Sequence, residues 1–349
     1  MKRGIVLQLF IFLCSANLLI GQSSKDSLNI KTTYSDFKEY YPIHVKPSIS
    51  YLSNTSEFED ILFDAKPIVY YSFYNNMRHI MQNSDHKLSY AAYALFQPHI
   101  RMFSENSLPV KTPSYRLLFG FQGLVKTQNN NFFAWALESG HYSNGQSGCA
   151  FGAGLEDESE ECRQIHLTIN DQSNLSALLN RTNGNFSTNI TKLSANFRLN
   201  NLNKEDKPYK VHSFSVSWEL YHNLMFGFID KGGYSDFDID IYGRNRFGFE
   251  YEFIHTYTQK IRYSLGVKTE IIQGAHPFVE PFRGELNFTW YPFNRDIGVF
   301  AAFITGHDNY NYRLVDSGNQ FSVGITWDWF TPFEIKRAEQ IKKHQKKTY

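Results

Sequence analysis

Cysteine is scarce in this 349-residue chain, with three in all, and net charge is almost absent: 35 Lys and Arg face 34 Asp and Glu, a formal +1. That balance excludes a generally basic nucleic-acid binder, because such domains carry a clear positive excess. Past residue 21 there is also no run approaching the roughly 18 apolar residues of a membrane helix, so a polytopic helical membrane protein is excluded. What is abundant is aromatic: 31 Phe and 22 Tyr, within a composition that is 17% aromatic. Mean hydropathy is nevertheless −0.41. An aromatic-rich chain that is polar on average fits an all-β protein, including a membrane β-barrel whose strands alternate between two faces.

The N-terminus reads as an export signal over residues 1–21. Lys2 and Arg3 precede an apolar stretch from Ile5 to Ile20, and small or polar residues follow at Gly21, Gln22, Ser23 and Ser24. A basic start, a short apolar centre and a small-residue end describe a secretory signal peptide. Cys14 lies inside it, without the small residue just before it that a lipoprotein cleavage site wants. Residues 22–45 form a polar lead-in. Residues 334–349 form a short basic tail, with six Lys or Arg against Glu334 and Glu339, whose simplest reading is a solvated end.

An exported chain meets an oxidising compartment, so the remaining pair, Cys149 and Cys162, is expected to form a disulfide. Closing a loop of that size is worth roughly 3 kcal/mol on chain-entropy grounds. The loop is acidic, carrying Glu156, Asp157, Glu158, Glu160 and Glu161. A solvated loop is a simpler reading of those carboxylates than a cation site.

Period-two alternation dominates from about residue 65 to 333. In His212–Tyr221 one face is Phe214, Val216, Trp218 and Leu220, and the other is Ser213, Ser215, Ser217 and Glu219. The last strand sets Phe321, Val323, Ile325, Trp327 and Trp329 against Ser322, Gly324, Thr326 and Asp328. A soluble sandwich shows such alternation too. Large aromatic faces, charged opposite faces and an export signal together favour a barrel with a polar interior. Ten strands stand out, near 88–96, 115–126, 131–143, 187–199, 211–221, 245–255, 261–271, 284–292, 297–305 and 320–330. Weaker ones near 49–54 and 66–75 bring the total to about twelve, an even number as a closed bacterial barrel requires. The expected fold is therefore an antiparallel transmembrane β-barrel over residues 46–333, integral to a bacterial outer membrane.

One strand carries chemistry at its end. Phe133, Trp135 and Leu137 give one face of 131–143 to lipid, and the same face then ends in His141 and Ser143. Residues two apart point the same way on a strand, which sets an imidazole beside a hydroxyl, as a base and a nucleophile require. A polar strand end above the hydrocarbon is the bland alternative.

The segment Glu138-Ser-Gly-His141-Tyr-Ser143-Asn144-Gly145 resembles the active-site strand of the outer-membrane phospholipase A (phospholipase A1) family, with its His-x-Ser-Asn-Gly core. Gly306-His-Asp308-Asn-Tyr310-Asn311 is similar to the stretch before that family's final strand. The resemblance implies a lipid-degrading Ser hydrolase with Ser143 as nucleophile, His141 as general base and an Asn that orients the His. Strand parity puts Asn189 on the same outward face, with Asn183 and Asn185 as reserves. In the family the Asn follows the Ser by about a dozen residues; here the cysteine loop and an Asn/Ser-rich stretch intervene. Backbone N–H groups of Asn144 and Gly145 are the candidate oxyanion donors. Calcium as cofactor, membrane phospholipids as substrate and an active homodimer are further implications, and no nucleic acid is expected. Two rivals remain: a non-enzymatic outer-membrane barrel, either pore or structural protein, and a soluble secreted β-sandwich.

Overall fold

Strands with one apolar and one polar face can bury either face only by pairing with neighbours, and closing the sheet removes its edges altogether. The computed structural model describes residues 46–57, 59–75, 88–104, 110, 112–127, 131–204, 208–258, 261–292 and 296–328. The expected signal (1–21), lead-in (22–45) and basic tail (334–349) lie outside the described residues.

Twelve antiparallel strands close into one barrel. They are β1 Ser48–Ser56; β2, in two segments, Ile61–Lys66 and Val69–Asn75; β3 Leu88–Phe103; β4 Ser114–Lys126; β5 Phe132–Ser143; and β6 Ser187–Leu202. The circuit continues through β7 Pro208–His222, β8 Gly243–Thr258, β9 Ile261–Ala275, β10 Phe282–Pro292, β11 Ile297–His307 and β12 Ser317–Asp328. β1 pairs with β12 on one side and β2 on the other, and β2 pairs with β3, so the ring is complete. β2 breaks at Pro67, which has no N–H to give the ladder. Its first segment pairs with Ile100–Phe103 and its second with Ala91–Phe96, which is why β3 is longer than its alternation suggested. A single closed sheet also replaces the two-layer sandwich kept open above.

The faces sort as the alternation implies. Along β5, Phe132, Ala134, Ala136, Glu138, Gly140 and Tyr142 are buried inward, whereas Phe133 and Leu137 stand exposed on the outside. Inward charges pair inside the barrel: Arg116 of β4 reaches Glu219 of β7 at 3.1 Å, and adjacent strands set Lys192 beside Glu219 at 3.6 Å and Lys268 beside Glu250 at 3.3 Å. One rim has short connections, as between β8 and β9. The other carries the long ones: residues 144–186 with helices α1 Glu160–Thr168 and α2 Leu175–Leu178, and residues 223–242 with α3 Asp236–Tyr242.

These long segments pack into the barrel mouth. Phe151, Leu175, Phe186, Tyr234, Ile241, Tyr242, Tyr312 and Leu314 form one buried cluster with the inward side chains Tyr93, Tyr142 and Tyr221. Ion pairs tie the same rim together. Arg101 holds Asp308 with both carboxylate oxygens at 2.8 Å, Arg181 reaches Asp316 at 2.7 Å, and Arg313 pairs with Glu59. The expected Cys149–Cys162 disulfide is formed, with Cα atoms 5.7 Å apart, and anchors α1 to the loop before it.

Candidate active site

β5 delivers His141 and Ser143 to the outer wall at the long-loop rim, since the odd-numbered residues of this strand face outward. The neighbouring register is direct: His141 stands opposite Asn189 and Ser143 opposite Ser187. The long insertion therefore leaves β5 and β6 paired, and the strand-parity expectation for Asn189 is met. His141 Nδ1 and Asn189 Oδ1 are 3.1 Å apart.

The Asn189 amide is held at its other end as well. Its Nδ2 donates to the carbonyls of Asn223 at 3.0 Å and Lys231 at 2.9 Å. A flipped amide would set its oxygen against two carbonyl oxygens, so the environment fixes Oδ1 toward the imidazole. Because Oδ1 only accepts, Nδ1 of His141 must carry the proton. The tautomer left has a lone pair on Nε2, which is the form a general base needs. Asn189 is fully buried although it faces outward.

What buries it is a short hairpin laid on the outside of the barrel. Leu224–Met225 pairs with Ile229–Asp230, directly after β7. Ser187 Oγ donates to the Gly232 carbonyl at 2.7 Å, and a Cβ at Gly232 would stand 3.2 Å from His141 Cε1. Beneath the hairpin the outward polar groups satisfy one another: Ser139 Oγ donates to Ile190 O at 3.0 Å and lies 3.3 Å from Thr191 Oγ1, which lies 3.0 Å from His222 Nε2. Sequence reasoning did not find this hairpin. Its signal is the run Met225-Phe226-Gly227-Phe228-Ile229, too apolar for an ordinary solvated connection.

Ser143 is half-buried beside His141, and among the described residues no hydrogen bond joins the two side chains. The candidate oxyanion donors divide. The Asn144 backbone N–H donates to Phe186 O at 3.0 Å and is already occupied. Its side chain instead organises the turn, donating to Gly184 O and accepting from the N–H groups of Gln146 and Phe186. Gly145 follows at φ 66°, a conformation natural to glycine, and is exposed. Of the reserve residues, Asn183 lies in the turn that accepts from Gly148, and Asn185 donates to Asp157 at 2.5 Å; neither is paired with His141.

The second similar segment braces β5 from inside. Asn311 N–H donates to Tyr142 Oη at 3.0 Å, and Tyr142 sits between His141 and Ser143 on the opposite face. Asn311 Nδ2 reaches Thr112 O at 2.8 Å, while the buried Tyr310 donates to His99 O at 3.2 Å. At the end of the acidic loop Ser159 caps α1 with Glu160 and Glu161 in its first turn, a favourable placement for negative charge. Among the described residues the one grouping of three side chains with metal-ligand atoms is Cys149, Cys162 and His166, and its sulfurs are joined as a disulfide.

No family model matches the chain, and no curated protein matches it in sequence. Solved structures do resemble it. The Salmonella typhi outer membrane phospholipase dimer with bound calcium aligns at 8% identity and a TM-score of 0.45, over 86% of this chain and 100% of that one. The outer membrane phospholipase A from Escherichia coli aligns at 9% and 0.44, over 82% and 97%. An outer membrane channel from Pseudomonas putida F1 aligns at 9% and 0.38, over 87% and 100%. The likeness is one of barrel architecture, common to outer membrane enzymes and channels.

Proposed function

We propose that this protein is an outer-membrane phospholipase A that hydrolyses acyl esters of glycerophospholipids at a Ser143–His141–Asn189 site on the lipid-facing wall of its barrel. The observation that carries this reading is the fixed Asn189 amide, which forces the Nδ1–H tautomer on an imidazole two residues from an outward serine. His141 Nε2 takes the Ser143 proton as Oγ attacks the ester carbonyl. The tetrahedral intermediate collapses to an acyl-enzyme, the protonated imidazole returns its proton to the lysophospholipid oxygen, and water repeats the sequence to free the fatty acid. The Gly145 N–H, one residue past Asn144, is the backbone donor left for the oxyanion. Asn189 cannot neutralise the imidazolium as a carboxylate would; it holds the ring.

A site on the outer wall receives acyl chains laterally, so no lipid has to be extracted into water. The calcium and homodimer that the resemblance implies are part of the proposal. Near the site Asp157 accepts from Asn185 and Glu160 from Gln164, and the step above runs through the chain's own groups. A pore is the weaker rival, because the long-loop mouth is packed with buried side chains and Arg116 reaches across non-adjacent strands to Glu219.

The protein refolded in detergent is expected to release fatty acid from phosphatidylcholine micelles containing calcium. Ser143→Ala should reduce that rate by about 10⁴-fold while keeping the barrel's heat-dependent gel mobility. Unchanged hydrolysis by Ser143→Ala would falsify the assignment.

A further inference from the structure

The outer-wall hairpin does more than bury Asn189. Its turn holds both Phe226 and Gly227 at positive φ, 54° and 78°. Glycine adopts that conformation freely, but for phenylalanine it is an outlier that surrounding contacts must hold in place. The Phe226 ring packs edge-on against Phe119 of β4, with centroids 5.6 Å apart, and lies 6.4 Å from Phe228. Phe119 in turn stacks on Phe73 at 6.2 Å. The hairpin thus crosses β6 and β5 and rests its tip on β4. Phe228 at that tip is 67% exposed on an outer wall that is otherwise apolar.

The register places the tip relative to the chemistry. Tyr115, Leu117 and Phe119 face outward beside Ser143, His141 and Ser139 respectively. Ser143 and the Phe119–Phe226 contact are therefore about four residues apart along the strand, roughly 13 Å. Between them runs a strip of outer wall on which Leu117 stands exposed, with the hairpin alongside. The polar groups of Ser139, Thr191 and His222 are turned toward one another rather than onto it.

We propose that this hairpin is the acyl-chain wall of the site: a fatty acyl chain esterified at the carbonyl under attack by Ser143 runs down the barrel past Leu117 and lies against Phe226 and Phe228. The occupant is an acyl chain because this strip begins at the proposed nucleophile, continues along the apolar outer wall and ends in exposed aromatic rings rather than hydrogen-bonding groups. The same hairpin carries the Asn223 and Lys231 carbonyls that fix Asn189, so one element holds both the acyl chain and the catalytic amide. This rests on the phospholipase reading above and assigns that site its chain-length selectivity.

The experiment compares hydrolysis of dipalmitoyl and dibutanoyl phosphatidylcholine in detergent by the wild type, by Phe226→Ala/Phe228→Ala and by Leu286→Ala on the far wall, each checked for heat-dependent gel mobility. The double variant should lower the long-chain to short-chain ratio of kcat/KM by about tenfold, with Leu286→Ala keeping the wild-type ratio. An unchanged ratio, or an equal fall on both substrates, overturns the proposal. Absence of wild-type hydrolysis on either lipid would count against the catalytic reading instead, and a second measurement then decides the hairpin. A nitroxide on Phe228→Cys in phosphatidylcholine bilayers should collide with oxygen and be shielded from a water-soluble nickel chelate. Free access for the chelate would place the tip in water and end the proposal.

Discussion

β5 and β10 stand on opposite walls of one barrel, and they treat their outer faces differently as they approach the long-loop rim. On β10 the outward side chains Phe282, Leu286, Phe288 and Trp290 stay apolar and exposed along the strand. On β5 the sequence Phe133, Trp135, Leu137 gives way to Ser139, His141 and Ser143, and on β6 the partner position is a buried asparagine. What separates the two regions is a second layer. No hairpin covers β10 among the described residues, whereas residues 223–233 cover the polar end of β5 and β6 and supply the carbonyls that Asn189 needs. Polar groups persist on an apolar wall only where something satisfies them.

The sharpest way to break this contrast is Asn189→Ala. It removes the acceptor that fixes the His141 tautomer and leaves two carbonyls unpartnered beneath the hairpin. Phospholipid hydrolysis should fall about 100-fold, less than for loss of the nucleophile, because the third member of such a triad positions rather than reacts. The loss should appear in kcat more than in KM. The converse change puts a polar group on the bare wall: Phe288→Asn lacks any covering layer and should destabilise the barrel by about 2 kcal/mol in urea unfolding from bilayers. An unaffected midpoint would mean that the second layer is unnecessary.

A smaller effect concerns the segment that continues from the hairpin. α3 opens with a capping box in which Ser235 and Asp238 bond each other reciprocally. Burial pushes the Asp238 carboxyl up to about 6, against the lowering by its Ser235 bonds. A carboxyl raised above its unfolded value favours the folded segment most below about pH 4, and that contribution is lost as pH rises through about 6. Amide exchange over residues 234–242, corrected for intrinsic rates, should slow modestly from pH 7 to pH 5. Asp238→Asn should flatten the dependence.

The strand count, both faces of each strand and the outward placement of His141 and Ser143 were legible in the sequence, because a period of two is a local property. Asn189 was reached by the same parity, across an insertion that gave no other guide. What was not legible depends on distant partners. Phe186 occupies the Asn144 N–H from 42 residues away, and Asn311 reaches Tyr142 from the barrel's last loop. The outer hairpin was hidden for a similar reason: its apolar run has no meaning until β4 and β5 lie beneath it. The expected strand near 66–75 ran through Pro67 and left out Ile61–Lys66, because the pairing of that segment with β3 and β1 is likewise set by distant partners.

The central claim is that Ser143 is a nucleophile activated by an outward His141 that Asn189 holds. Treating the refolded protein with a long-chain alkyl sulfonyl fluoride and mapping the adduct by mass spectrometry tests it directly. The account predicts one sulfonylated residue, Ser143, with labelling slowed at least about 100-fold in His141→Ala. Modification at another serine, or equal labelling of the His141→Ala protein, would contradict it.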